Sequence, residues 1–143
     1  MPNWNEPTCE EALTHKVWFG QLMLFAQKEF SSENLYFIKV VEALEGGNLF
    51  YREYKTGRIV KKYINADGVR MINISAEVKK NIVANPCVKT LVAAKKEILK
   101  MVKGDTWNRF LKSEQYRDGQ RLIIISAEKN ERMINSLSES GLV

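Results

Sequence analysis

The apolar positions of this chain fall into stripes that recur at helical spacing. Trp18, Leu22, Phe25 and Ala26 share one face, with Val17, Phe19 and Met23 beside it. Phe37, Ile38, Val41 and Leu44 follow the i, i+1, i+4, i+7 pattern. Val88, Leu91, Val92, Ile98, Leu99 and Val102 make a third stripe, with Lys95, Lys96, Lys100 and Lys103 mainly on other faces. Trp107, Phe110 and Leu111 begin a fourth, while Phe50 to Tyr63 is amphipathic but interrupted by Gly57. The exception is Leu122 to Ile125, whose branched run has the propensity of a buried strand. A lone strand has no partner, so helix or extended packing is expected there. A further helix from Ser126 would put Met133, Ile134 and Leu137 on one face. The pattern predicts an all-α fold.

Capping residues punctuate these stripes. Thr8 followed by Glu11 fits a capping box and starts a helix near Cys9. Ser31 or Ser32 is expected to cap the next helix, and Gly46-Gly47 to end it. Ala66-Asp67-Gly68 reads as a turn, and Ser75 as the cap of a short helix closed by Asn85. Pro86 suits the first turn of the helix after it. Gly104 is expected to stop that helix and Asp105 to cap its successor. No proline stands between Pro7 and Pro86 or after it, which leaves long tracts open to helix.

Composition narrows the chemistry more than the fold. A length of 143 residues suits one domain, and 45% hydrophobic residues suffice for a core. Two cysteines, Cys9 and Cys87, exclude a disulfide scaffold and a Cys-rich zinc cluster. The single histidine, His15, leaves no His-based metal centre, and a half-buried structural role is expected for it. Cys87, at a helix start after Pro86, could have a lowered pKa, although an ordinary core or half-buried thiol is the expectation. There is no Gly-x-x-x-x-Gly-Lys-Ser/Thr loop, no Gly-x-Gly-x-x-Gly and no Gly-x-Ser-x-Gly elbow. Glu10 and Glu11 are adjacent and so do not share a helix face. Catalytic chemistry of the chain's own is therefore not expected.

Residues 1–11 hold two Pro, three Glu and no basic residue, and the longest apolar run is Leu22 to Ala26. No targeting or membrane-spanning segment is expected, and the setting should be cytoplasmic. The formal charge of +5 conceals an asymmetry, because residues 50–103 carry 13 Lys/Arg against 4 Asp/Glu. Such a surplus suits phosphates or an anionic membrane, or simply solvated lysine faces. Three polar groups remain beside helix starts: Ser31-Ser32-Glu33-Asn34, Asn73-Ile74-Ser75, and Asp105-Thr106 with Arg109. Capping accounts for Ser31, Ser75 and Asp105, and less well for Asn34, Asn73 and Arg109. Arg109 follows Asp105 by four residues, the spacing of a helical ion pair.

These groups lie in blocks that resemble the regulator of G-protein signalling (RGS) domain. The blocks are residues 25–37 (FAQKEFSSENLYF), 72–75 (INIS) and the segment from Ala93 to Ser113, with GDTWNRFLKS at its end; Tyr116 fits too. The resemblance runs from about residue 22 to 116, with 117–143 as a C-terminal helical extension of a single domain over 1–143. It implies a bundle of about nine helices in two subdomains. It also implies acceleration of GTP hydrolysis by heterotrimeric Gα subunits, bound preferentially in the transition-state form, with no cofactor or metal of the domain's own.

Carried over by motif, the Gα-binding residues would be Ser31, Glu33 and Asn34, then Asn73, Ile74 and Ser75, then Met101, Asp105, Thr106 and Arg109. Asn73 would brace the Gα switch segments and its water-positioning Gln, helped by Asn34, while Arg109 would orient Asp105. The domain would be a monomer at the inner face of the plasma membrane, with the basic residues of 50–103 available to anionic lipid and no nucleic acid as partner. Three positions depart from the family pattern: Ile38 stands where Trp is usual, Ser75 where Asp is common, and Met101 in place of Leu. The alternative is an RGS-like module that docks without accelerating hydrolysis, against which the intact Asn34 and Asn73 argue. A lipid- or nucleic-acid-binding helical module built on the basic middle is a third class, recognisable by steep salt dependence.

Overall fold

The computed structural model describes residues 1–141. Among them the chain forms eight α-helices, two π-helical segments and no strand. The helices are α1 (Cys9–Thr14), α2 (Lys16–Lys28), α3 (Ser32–Glu45), α4 (Leu49–Ile59), α5 (Ala76–Ala84), α6 (Val88–Met101), α7 (Trp107–Phe110) and α8 (Glu114–Glu139). The π segments are Val60–Ile64, which prolongs α4, and Val102–Thr106, between α6 and α7. The all-α class is as expected. The chain divides into two compact units, residues 1–25 with 107–141 and residues 26–106.

The terminal unit is built on aromatic rings. Trp18 is wholly buried and meets Phe110 edge-on, with centroids 6.3 Å apart and planes at 87°. Phe25, Trp107 and Tyr116 complete the cluster at 5.2–5.7 Å from Phe110. Such ring pairs add about 0.5–1.5 kcal/mol each beyond the burial of their area. Trp18 Nε1 donates to the Trp4 carbonyl at 2.7 Å, so the indole nitrogen is not stranded in the core. Thr8 and Glu11 form the capping box read from the sequence, with bonds of 2.9 and 3.2 Å. His15 is structural: Nδ1 accepts the Val17 N–H at 3.2 Å, and the ring lies 4.4 Å from Trp4.

The middle unit buries Phe37, Ile38, Val41 and Leu44 of α3 and Leu91, Ala94 and Ile98 of α6. Ile38 is completely buried. Lys95 of α6 pairs with Glu45 at the end of α3, and Arg52 Nη2 donates to the Glu45 carbonyl at 2.6 Å.

Four local expectations are corrected. Gly104 does not stop a helix and Asp105 does not cap one; both lie inside the π segment. A π turn widens the helix by one residue instead of ending it, which keeps Val102 and Thr106 buried in succession to Ile98. Pro86 precedes the helix rather than entering its first turn, because Cys87 is the N-cap of α6. Ser31 is the N-cap of α3 but makes no side-chain cap bond; its hydroxyl donates to the Ala26 carbonyl at 3.4 Å. Ser126 starts no helix of its own: it lies within α8, which also takes in Leu122 to Ile125 as the helix favoured for them. A helix satisfies its own backbone groups, which a lone strand cannot do. Beyond Gln120 this helix is largely exposed, including Leu122, Ile124, Ile125, Met133, Ile134 and Leu137.

Candidate functional site

Nine of the ten residues singled out from the sequence belong to the middle unit, and Arg109 on α7 belongs to the terminal one. The nine sit on three pieces of chain. Ser31, Glu33 and Asn34 open α3; Asn73, Ile74 and Ser75 lead into α5; Met101, Asp105 and Thr106 lie on the last turn of α6 and the π segment after it. Asn73, Ser75 and Asp105 are exposed, whereas Asn34 and Thr106 are buried.

The entry to α3 is a tight helix-to-helix turn. Ser31 N–H donates to the Ala26 carbonyl at 2.8 Å, and Phe30 N–H to the Gln27 carbonyl at 3.2 Å. This pair of bonds is the Schellman closure of α2, and it requires a left-handed residue at position 30. Glycine normally takes that place, but here Phe30 has φ 56° and is 91% exposed. The left-handed conformation costs a non-glycine residue about 1–2 kcal/mol. A strained, bare aromatic ring therefore stands one residue before Ser31. The sequence reading missed it, although a bulky residue directly after a helix and before a cap was the available signal.

The 65–75 segment is fixed by the end of a helix. The π segment Val60–Ile64 leaves carbonyl groups without helical partners, as every helix end does. Two are taken by the segment that follows: Arg70 N–H donates to Lys62 O at 3.1 Å and Ile72 N–H to Tyr63 O at 2.9 Å. Gly68 permits the close approach, since a Cβ there would collide with the Lys62 carbonyl. Ile72 then buries its side chain, which leaves Asn73 exposed on the next residue. Tyr63 lies below, 5.4 Å from the Phe37 ring; burial pushes its phenol up from the ordinary value against the pull of the Arg70 charge.

Two side-chain links join the three pieces. The Arg70 guanidinium lies 4.2 Å from the centre of the Tyr36 ring, tying this segment to α3 two residues beyond Asn34. Glu33 of α3 and Met71, two residues before Asn73, line one hollow together with Arg70. At the other end Glu97 of α6 accepts from the Ser75 backbone N–H, and from the Ser75 hydroxyl at 3.0 Å. Met101 follows Glu97 by four residues, on the same face of α6. Arg70, Tyr36 and Glu97 were not found from the sequence, because each acts through a residue distant along the chain.

The arrangement offers hydrogen-bonding and apolar groups on an anchored frame. Among the described residues there is no group of three or more His, Cys, Asp or Glu placed to hold a metal ion. Cys87 caps α6, and its thiol pKa is lowered by the Thr90 backbone N–H and then by the Thr90 hydroxyl. Among the described residues no helix is long and apolar enough to cross a membrane.

Comparison with known proteins points to one family. The family profile described as "Regulator of G protein signaling domain" matches residues 8–119. "Regulator of G-protein signaling 7" of Bos taurus is 27% identical over 137 residues, covering 94% of this chain and 28% of its own length. "Regulator of G-protein signaling 18" of Homo sapiens is 27% identical over 121 residues, covering 80% of this chain and 50% of its own. "Regulator of G-protein signaling 6" of Homo sapiens is 28% identical over 137 residues, covering 94% and 28% respectively. The chain thus spans between about a quarter and a half of these relatives.

Proposed function

The chain belongs to the regulator of G-protein signalling domain family, and on that basis we propose that it is a GTPase-activating protein for a heterotrimeric G-protein α subunit. The observation that carries the reading is the anchoring of Asn73. The exposed Asn73 sits on a segment tied to α3 through Arg70 and Tyr36 and to α6 through Ser75 and Glu97. Each tie leads to another of the three motif blocks. A rigid set of polar groups of this kind suits recognition of one conformation of a partner.

The physics follows from what Gα already possesses. A Gα subunit supplies its own arginine and the Gln that orients the attacking water. A partner that binds the transition-state arrangement more tightly than the ground state lowers the barrier by the difference. A hundredfold acceleration corresponds to about 2.7 kcal/mol of such preference. In this reading Asn73 braces the switch segments and the Gln by hydrogen bonds, and Asn34, Ser31 and Glu33 support the same region. Ile74, Ser75, Met101, Asp105 and Thr106 complete the contact, and Phe30 adds an exposed apolar ring at its edge. Arg109 enters from the family motif alone. The domain acts as a monomer at the inner face of the plasma membrane. There α4 turns exposed Phe50 and Tyr54 outward beside Lys55, Arg58, Lys61 and Lys62, a face suited to anionic lipid.

The test is a pull-down against a panel of Gα subunits loaded with GDP, GDP–aluminium fluoride or a GTP analogue. Capture that is strongest in the aluminium fluoride state supports the reading, because that state mimics the transferring phosphoryl group. Equal capture in all three states would instead favour a docking module without effect on hydrolysis.

A further inference from the structure

Asn73 stands between two anchors of different kinds. One residue before it, Ile72 is held by its backbone bond to Tyr63 and by burial of its side chain. Two residues after it, Ser75 is held by Glu97, which accepts both the backbone N–H and the hydroxyl. The same hydroxyl oxygen accepts the Val78 N–H at 3.3 Å, so Ser75 caps α5 while Glu97 secures Ser75. Only Asn73 and Ile74 lie between the fixed points.

The position of the Glu97 carboxylate has a physical rationale. The first turn of a helix presents unpaired N–H groups and a positive dipole end, both of which favour a neighbouring negative charge. Here the carboxylate comes from α6, the next helix, and it reaches the start of α5 through Ser75.

We propose that Glu97 is a positioning residue for the Gα-binding loop: it clamps Ser75 and thereby presets Asn73 and Ile74 in the geometry that meets Gα. The proposal rests on the GTPase-activating reading, because Glu97 acts on the partner only through the loop. Its signature differs from that of a contact residue. A loop freed at one end is competent for only a fraction of the time, which weakens apparent affinity by that fraction. Once Gα is bound, the loop is in place and the maximal rate is unchanged. Loss of Glu97 therefore raises the half-saturating concentration and leaves the stimulated rate at saturation intact, whereas loss of Asn73 lowers that rate.

The experiment compares the full chain with Glu97→Ala, Glu97→Lys and Glu97→Gln, whose amide oxygen can still accept one of the two Ser75 bonds whereas an ammonium accepts neither. Amide hydrogen exchange at Ile74 and Ser75 reads the clamp without any Gα; single-turnover GTP hydrolysis over a range of domain concentrations reads the role. Expected are faster exchange at Ser75 and an approximately tenfold higher half-saturating concentration in Glu97→Ala and Glu97→Lys, with partial recovery of both in Glu97→Gln. Unchanged exchange at Ser75 in Glu97→Ala overturns the clamp, whatever the hydrolysis assay gives. Faster exchange with unchanged half-saturation, or a fall in the saturated rate, overturns the positioning role. A wild-type chain that accelerates no Gα overturns the reading beneath the proposal, and the exchange result still decides whether the clamp exists.

Discussion

The Arg70 guanidinium lies over the Tyr36 ring, 4.2 Å from its centre, and so fastens the Asn73-bearing segment to the helix that begins with Ser32 and carries Asn34. A cation held over an aromatic face contributes about 0.5–1 kcal/mol at sites of partial exposure. Here it also joins two of the three motif blocks, so its loss should be felt more in recognition than in stability.

Replacement of Arg70 by Met keeps much of the aliphatic stem and removes the charge. Urea unfolding should show a loss of no more than about 1 kcal/mol. The half-saturating concentration for Gα should rise severalfold. Arg70→Lys should recover only part of the loss, since an ammonium group cannot stack flat on the ring.

Phe30 sets stability against recognition. It occupies a left-handed position, φ 56°, that glycine would take without strain. Phe30→Gly should raise stability by about 1 kcal/mol and the melting temperature by about 4 °C. The same change removes a ring that is 91% exposed at the edge of the proposed contact surface, and should weaken Gα binding by about tenfold. Calorimetry and a binding titration on one preparation check both directions. A variant that is more stable and binds equally well would show that the ring has no part in recognition.

Gly119 tests the aromatic core of the terminal unit. A Cβ at this position on α8 would run into the six-membered ring of Trp18, which is completely buried. Gly119→Ala should therefore destabilise by about 1–3 kcal/mol despite the better helix propensity of alanine. The midpoint of chemical denaturation gives the answer. An increase in stability would mean that the indole has room to shift.

The sequence made the helices legible wherever a local signal set their limits. The Thr8–Glu11 capping box, the stripe from Phe37 to Leu44 and the Ser75 cap all reappear as read. Local signals misled where tertiary packing decided. Gly104 and Asp105 look like a stop and a start, yet the chain bridges them with a π turn that keeps Val102 and Thr106 inside. Along the exposed part of α8 helix continuity decided instead: Leu122 to Ile125 are helical, as favoured over a lone strand, and Ser126 starts no new element. Of the candidate surface, the sequence supplied the motif residues but not their supports. Tyr36 with Arg70 and Ser75 with Glu97 are 34 and 22 positions apart, and no periodicity connects residues across such distances. Phe30 is marked out by its backbone conformation, at which its place between a helix end and a cap only hints.

The most direct measurement is single-turnover GTP hydrolysis by a responsive Gα with the wild-type domain and with Asn73→Ala, at saturating concentrations of each and with the fold verified by circular dichroism. The account predicts that the wild-type domain accelerates hydrolysis and that Asn73→Ala loses most of that acceleration. Full acceleration by a folded Asn73→Ala variant would contradict the role given to this residue, and with it the mechanism built on the anchored loop.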